Sequence, residues 1–122
     1  MEIILLYKCQ HIDGVISALD YFELPHGWII VMECMNFYKD LFDYLLDRQF
    51  LSEDKACNFF NQLIRILNAC HEVGVLHRDI KCENILIDLE TDTLKLIDFG
   101  SGAFLKEEKY TEFNGMLFYN DL

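Results

Sequence analysis

The 122-residue chain is poor in positive charge: 10 Lys and Arg stand against 21 Asp and Glu, for a formal charge of −11. Such a field repels phosphate backbones and anionic lipid. It excludes nucleic acid and membrane surfaces as the main partners and favours a basic peptide. The chain has a single proline, and 52% of its residues are apolar, which excludes a disordered or collagen-like polymer. Long apolar runs are missing too. Ile3–Tyr7 and Trp28–Met32 are far too short to cross a bilayer, and Glu2 puts the wrong charge at the start of a secretory signal. The five cysteines (Cys9, Cys34, Cys57, Cys70, Cys82) include no C-x-x-C and are expected to be reduced thiols of a cytosolic protein, not disulfides or zinc ligands. There is no repeat, low-complexity segment or linker. The length fits one modest domain or a piece of a larger one.

The pattern predicts a mixed α+β chain. Residues 2 to about 10 read as the end of a helix. Val15–Glu23 and Trp28–Glu33 read as strands around the turn Pro25-His26-Gly27. From Tyr38 to Asp47, Leu41, Phe42, Leu45 and Leu46 share one helical face. Ser52 is placed to cap a longer helix whose first turn holds Glu53 and Asp54, whose predicted buried stripe is Ala56, Phe59, Phe60, Leu63, Ile64 and Leu67, and which Gly74 ends. Ile85–Ile87 and Leu94–Ile97 form a short hairpin bracketed by polar loops. Two segments imitate other sites. Gly100-Ser101-Gly102-Ala103 has the look of a phosphate loop but lacks the third glycine. Asp88–Asp92 has the look of a calcium loop but fails at Thr93 and Phe99.

The loop His77-Arg78-Asp79-Ile80-Lys81-Cys82-Glu83-Asn84 precedes the hairpin, and Asp98-Phe99-Gly100 follows it. Taken singly, Asp79 fits a loop carboxylate and Asp98 a turn starter. Together, seven residues at this spacing have a chance occurrence on the order of 10⁻⁹ per start position. The set resembles the catalytic loop and metal-binding triplet of protein kinases. Phosphoryl transfer passes through a loose, highly charged transition state, so positioning and charge neutralisation dominate. The resemblance implies that Asp79 orients the substrate hydroxyl, that Asn84 and Asp98 hold Mg²⁺ through hard oxygens, and that Lys81 reaches the moving phosphoryl group. Lys81 at this position resembles the serine/threonine class. His77 and Arg78 are expected to be scaffold, with Arg78 able to pair with an anion on the segment after Asp98.

Beyond the motif, Met1-Glu2 with Leu5-Leu6, Asp40–Asp43, Gly74–Lys81, Glu83–Leu89 and Leu94–Ala103 resemble the Pim family of serine/threonine protein kinases. This implies a truncated kinase-like fold: residues 1–32 as a remnant of the β-rich N-lobe, 33–37 as the hinge and 38–122 as the first part of the helical C-lobe. It implies ATP and Mg²⁺ as cofactors, with Glu2 as the helix glutamate that partners an ATP-binding lysine. Met32 is the implied gatekeeper, Glu33 to Met35 the hinge facing adenine, Leu86 the floor of the adenine site, and Ile97 the residue before the metal aspartate. Asp40, Asp43 and Glu83 become an acidic rim for Arg- or Lys-rich substrates, although a solvated helix face accounts for Asp43 equally well. The resemblance also implies a monomer of the cytoplasm, with the nucleus as a second compartment.

Departures are informative. Pim hinges carry proline where Met35 stands, so Met35 restores an N–H for a second adenine hydrogen bond. Cys82 replaces an aspartate at little cost. Met116 and Leu117 replace Thr and Arg, and a thioether cannot imitate the threonine hydroxyl that ties Asp79 to Lys81. No glycine-rich loop or lysine-bearing strand stands before Glu2, and no A-P-E segment after Leu122. Met1 fits either an internal methionine of a longer kinase or the start of a shortened product. The leading expectation is a serine/threonine kinase; the alternative is a truncated or degenerate pseudokinase acting by binding. Small-molecule phosphotransferases of kinase-like fold rank lower, because they usually lack the equivalents of Arg78, Lys81 and Phe99. A chain without those parts is expected to be poorly soluble or molten.

Overall fold

The structure, a computed structural model, describes residues 1–111. The expectations for Met116 and Leu117 therefore lie outside the described residues. The first helix, α1 (Glu2–Cys9), buries Leu5, Leu6 and Cys9 and exposes Ile4 and Tyr7. Strands β1 (Ala18–Leu24) and β2 (Gly27–Met32) pair antiparallel around the two-residue turn Pro25-His26. The expected strand start at Val15 shifts to Ala18, because Val15 makes an isolated parallel bridge to Leu96 and is fully buried there.

The expected helix start at Tyr38 also shifts. Residues Tyr38–Asp40 form strand β3, and helix α2 spans Leu41–Arg48. Asp40 explains the boundary: its carboxylate accepts the Asp43 N–H at 2.8 Å as an N-cap, and an extended cap residue lets the preceding backbone join a sheet. Helix α3 (Glu53–Glu72) is capped by Ser52 through the Lys55 N–H, as its sequence predicts. Its buried residues are Phe59, Ile66 and Cys70, with Leu63 and Leu67 packed beside them. Ala56, Phe60 and Ile64 face outward, as do Phe42 and Leu46 of α2, so half of the predicted stripe is corrected. Both helices are apolar on more than one face, and only one face meets the described core. Gly74, at φ +77°, ends α3 where a side chain would strain the backbone.

Strand β4 (Val75–Leu76) pairs with β7 (Ala103–Phe104), while β5 (Ile85–Asp88) lies between β3 and β6 (Leu94–Leu96). The β5–β6 turn is held by local bonds. Asp88 Oδ1 accepts the Glu90 and Thr91 N–H groups, and Gln62 of α3 donates to the Asp92 carbonyl and accepts the Leu94 N–H. Asp88–Asp92 is therefore hairpin-turn chemistry. One core, built from Leu5, Leu6, Val15, Ile66, Val75, Ile85, Ile87, Leu94, Leu96 and Phe99 among others, joins α1, α3 and the β5–β6 hairpin. Burying each such aliphatic side chain stabilises by roughly 1.5–3 kcal/mol. No helix among the described residues is long and apolar enough to cross a membrane.

Candidate active site

The loop after β4 is nucleated by a buried imidazole. His77 is 2% exposed, and its Nε2 lies 2.8 Å from the Ile97 carbonyl while its Nδ1 accepts the Asp79 N–H at 3.3 Å. A backbone N–H can only donate, so Nδ1 is the bare nitrogen and Nε2 carries the proton. Burial holds the His77 pKa below its ordinary value, opposed by the Ile97 carbonyl and the charges of Asp79 and Asp98. Phe99, fully buried, meets the same ring edge-on at 4.7 Å. One side chain thus couples the loop before the hairpin to the triplet after it.

Three of the anticipated site residues are joined directly. Lys81 Nζ sits 2.8 Å from Asp79 Oδ2, and Asn84 Nδ2 donates to the same oxygen at 3.1 Å and to the Asp79 carbonyl at 2.9 Å. The short helical turn Cys82–Asn84 supplies the geometry by folding Asn84 back over Asp79. Hydrogen bonding to Asp79 raises the Lys81 pKa; burial opposes this, and the charges of Asp79, Glu83 and Asp98 reinforce it. Lys81 is therefore held cationic beside Asp79, with the Asp98 charge adding to the effect. The Ile97 N–H donates to the Asn84 carbonyl at 2.9 Å, which sets Asp98 one residue beyond that anchor. Asp98 has φ 61° and accepts the Gly100 N–H on Oδ1 at 3.1 Å.

Glu2 faces the same corner. It accepts the Phe99 N–H, and its pKa is raised by burial and by the Asp98 charge. Among the described residues no lysine or arginine side chain forms an ion pair with it. Arg78, at φ 67°, donates from Nε to the Ser101 carbonyl at 2.7 Å and from a terminal nitrogen to the Gly102 carbonyl at 3.4 Å, and lies over the Tyr110 ring.

The hinge residues are held differently from the simplest expectation. The Glu33 carboxylate accepts the Ser17 N–H at 2.9 Å and the Lys95 ammonium at 2.5 Å, and the Glu33 N–H donates to the Ser17 carbonyl at 3.0 Å, so its side chain and N–H are committed to scaffolding and its carbonyl remains for a ligand. These bonds hold the carboxylate pKa low against its burial. Lys95 is the cross-strand partner of Leu86, which puts both side chains on the face of β5–β6 turned from the core. The Glu33–Lys95 pair thus draws the segment after β2 against Leu86. Met32 ends β2 and is exposed, Met35 and Ile97 are half-buried, and no acceptor is described for the Met35 N–H. Sequence reading missed Lys95, although its lone charge in Leu94-Lys95-Leu96 marks an outward position.

The three carboxylates expected to form an acidic rim lie on two elements. Burial, then the charges of Glu83 and Asp40, raise the Cys82 pKa; Glu83 lies in the short turn Cys82–Asn84 and Asp40 at the start of α2. Asp43 is exposed in the first turn of α2. Asp40 also has the structural duty of capping that helix.

The sequence model of the family described as "Protein kinase domain" matches residues 1–120. The chain belongs to the protein kinase domain family. It is 46% identical over 108 residues to the serine/threonine-protein kinase pim-2 of Danio rerio, which bears out the Pim resemblance; 88% of the chain and 35% of that relative are covered. It is 43% identical over 119 residues to the serine/threonine-protein kinase prk-2 of Caenorhabditis elegans, covering 98% of the chain and 27% of the relative. The match to the PAS domain-containing serine/threonine-protein kinase of Mus musculus is 41% over 109 residues, covering 89% and 8%. The chain thus spans about a third or less of the length of these relatives, and its fold is part of a kinase domain.

For Mg²⁺, the donor set fits. Asn84 spends its amide nitrogen on Asp79, which leaves Oδ1 as the acceptor it can offer, and Asp98 keeps Oδ2 free of the Gly100 bond. Amide and carboxylate oxygens are the hard ligands that Mg²⁺ takes beside water and phosphate.

Proposed function

We propose that this chain carries the catalytic centre of a serine/threonine protein kinase that moves the γ-phosphoryl group of ATP to Ser or Thr beside Arg or Lys. The observation that carries the reading is the Lys81–Asp79–Asn84 network, with Asp98 close enough for its charge to act on Lys81. Asp79 Oδ2 is saturated by Lys81 and Asn84, so Oδ1 is the atom that accepts and orients the incoming hydroxyl. Lys81 offsets negative charge on the transferred group. Asn84 and Asp98 hold Mg²⁺, which when bound neutralises charge on the phosphates. Glu33 and Met35 offer main-chain groups to adenine, Met32, Leu86 and Ile97 offer apolar surface, and Glu2 faces a lysine of a nucleotide-binding strand. Asp40, Asp43 and Glu83, with the overall charge of −11, attract basic substrates to a monomeric enzyme of the cytoplasm and nucleus.

A second reading, a truncated or degenerate pseudokinase acting by binding, is favoured by the sequence at Met116 and Leu117, where related kinases carry Thr and Arg. Phosphorylation of an Arg-rich Ser/Thr peptide with Mg-ATP separates the two. Asp79→Asn and Asp98→Asn are each expected to lower the rate at least 10²-fold. Activity untouched by both changes removes the assignment. Mg-ATP binding without transfer, in a chain that spans the complete domain, establishes the second reading.

A further inference from the structure

Between the segment after β2 and the β5–β6 hairpin, the bonds close into a ring. Lys95 Nζ donates to Glu33 Oε1 at 2.5 Å, and the same oxygen accepts the Ser17 N–H at 2.9 Å. The Glu33 N–H returns to the Ser17 carbonyl at 3.0 Å, so these two residues are tied twice. One residue back, the Ile16 N–H donates to the Leu96 carbonyl at 3.0 Å, and the Leu96 N–H donates to the Gly14 carbonyl at 2.6 Å. Leu96 follows Lys95 in β6, which completes the circuit Lys95, Glu33, Ser17, Ile16, Leu96. Val15, Ile16 and Leu96 are buried, so one side of the ring is fixed in the core. We propose that Lys95 is a positioning residue for nucleotide. By gripping the Glu33 carboxylate, it fixes the carbonyl of the same residue at a set distance from Asp98, so that base and metal-bound phosphates are held together.

The proposal rests on the reading above that the Glu33 carbonyl meets adenine. Lys95 supplies the direct bond from Glu33 to β6, and an ammonium–carboxylate bond is roughly twice as strong as a neutral one. The two side chains are 26% and 31% exposed, so water and salt screen the pair less than a fully exposed one. Strand β6 runs on to Ile97, whose N–H is anchored on the Asn84 carbonyl, and then to Asp98. The base end and the metal end of the site are thus referenced to one short strand, with Lys95 three positions before Asp98. Ordering the Glu33 segment in advance removes that entropy cost from binding. A ligand with both base and phosphates gains from the fixed spacing, whereas one with phosphates alone does not meet Glu33 and is indifferent to Lys95.

The test measures binding instead of turnover. Calorimetric titration of the full chain compares Mg-ATP with Mg-tripolyphosphate, which has the phosphates and no base. Lys95→Met keeps the stem and removes the charge. It is expected to weaken Mg-ATP about 3- to 10-fold and to leave Mg-tripolyphosphate within about twofold. Lys95→Arg should restore most of the loss. Glu33→Gln keeps an acceptor for the Ser17 N–H and should weaken Mg-ATP by a similar factor, and the double variant should lose no more than either single one, because the two side chains act as a unit. Amide hydrogen exchange at Ser17 and Glu33 should quicken in Lys95→Met without any ligand. Should Lys95→Met fail to fold, Glu33→Gln carries the same comparison. Equal weakening of the two ligands, additive losses in the double variant, or unchanged exchange overturns the proposal. These binding differences in a chain that transfers no phosphoryl group support the proposal and remove the kinase reading. Failure of the unmodified chain to bind Mg-ATP overturns both.

Discussion

The hydrogen bonds around His77 leave its ring only one protonation state. Its Nδ1 must accept from the Asp79 N–H and its Nε2 must donate to the Ile97 carbonyl, so a second proton on the ring breaks the first bond inside a buried site. Burial lowers the pKa in the fold below the ordinary 6.5. The unfolded chain therefore binds more protons in the window below 6.5, and stability falls as pH drops through it. Urea melts between pH 5 and 8 should show this slope, and His77→Gln, which keeps a donor and an acceptor but does not titrate, should flatten it. Asp79, Asn84 and Asp98 stood out in the chain because the protein-kinase motif fixes those residue types at that spacing. The Glu33–Lys95 pair was not legible, since it joins residues from separate hairpins that no local pattern connects.

At the level of elements, Asp40 is a helix cap and a member of the proposed acidic rim, and two substitutions separate these duties. Asp40→Ala removes the cap and is expected to cost about 1 kcal/mol in a chemical melt. Asp40→Asn keeps an equivalent cap, so stability should hold while the preference for basic over neutral peptides weakens. Equal losses of stability in the two variants would show that the charge, not the cap, does the structural work. The chain from Tyr38 shows why helical periodicity misleads at such a boundary: an apolar spacing continued upstream of the cap, but β5 offered an open edge and the extended residues paired with it. The predicted stripe of α3 fails at Ala56, Phe60 and Ile64 for a related reason. Periodicity identifies apolar positions, and only the neighbours decide which of them are covered.

Over the whole molecule, the described residues leave much apolar surface in water. Phe60 is 63% exposed, Leu46 62% and Phe50 80%, and almost every residue of β1 and β2 is exposed on both faces of a two-stranded ribbon. Such ribbons are marginal by themselves. The isolated chain is expected to bind a hydrophobic dye, to self-associate in sedimentation, and to melt broadly; a sharp cooperative melt at low concentration would contradict this. Phe60→Lys is expected to reduce self-association while changing stability by less than about 0.5 kcal/mol, because an exposed side chain holds little of the core. The order of residues alone determined the family, the chemistry of the loop and triplet, the helix cap at Ser52 and the stop at Gly74, because each depends on close neighbours in the chain. Tertiary structure decided which faces are buried, that Glu33 is pinned by Lys95, and that His77 bridges loop and triplet. Those contacts join distant segments, and packing selects them only once the core has closed.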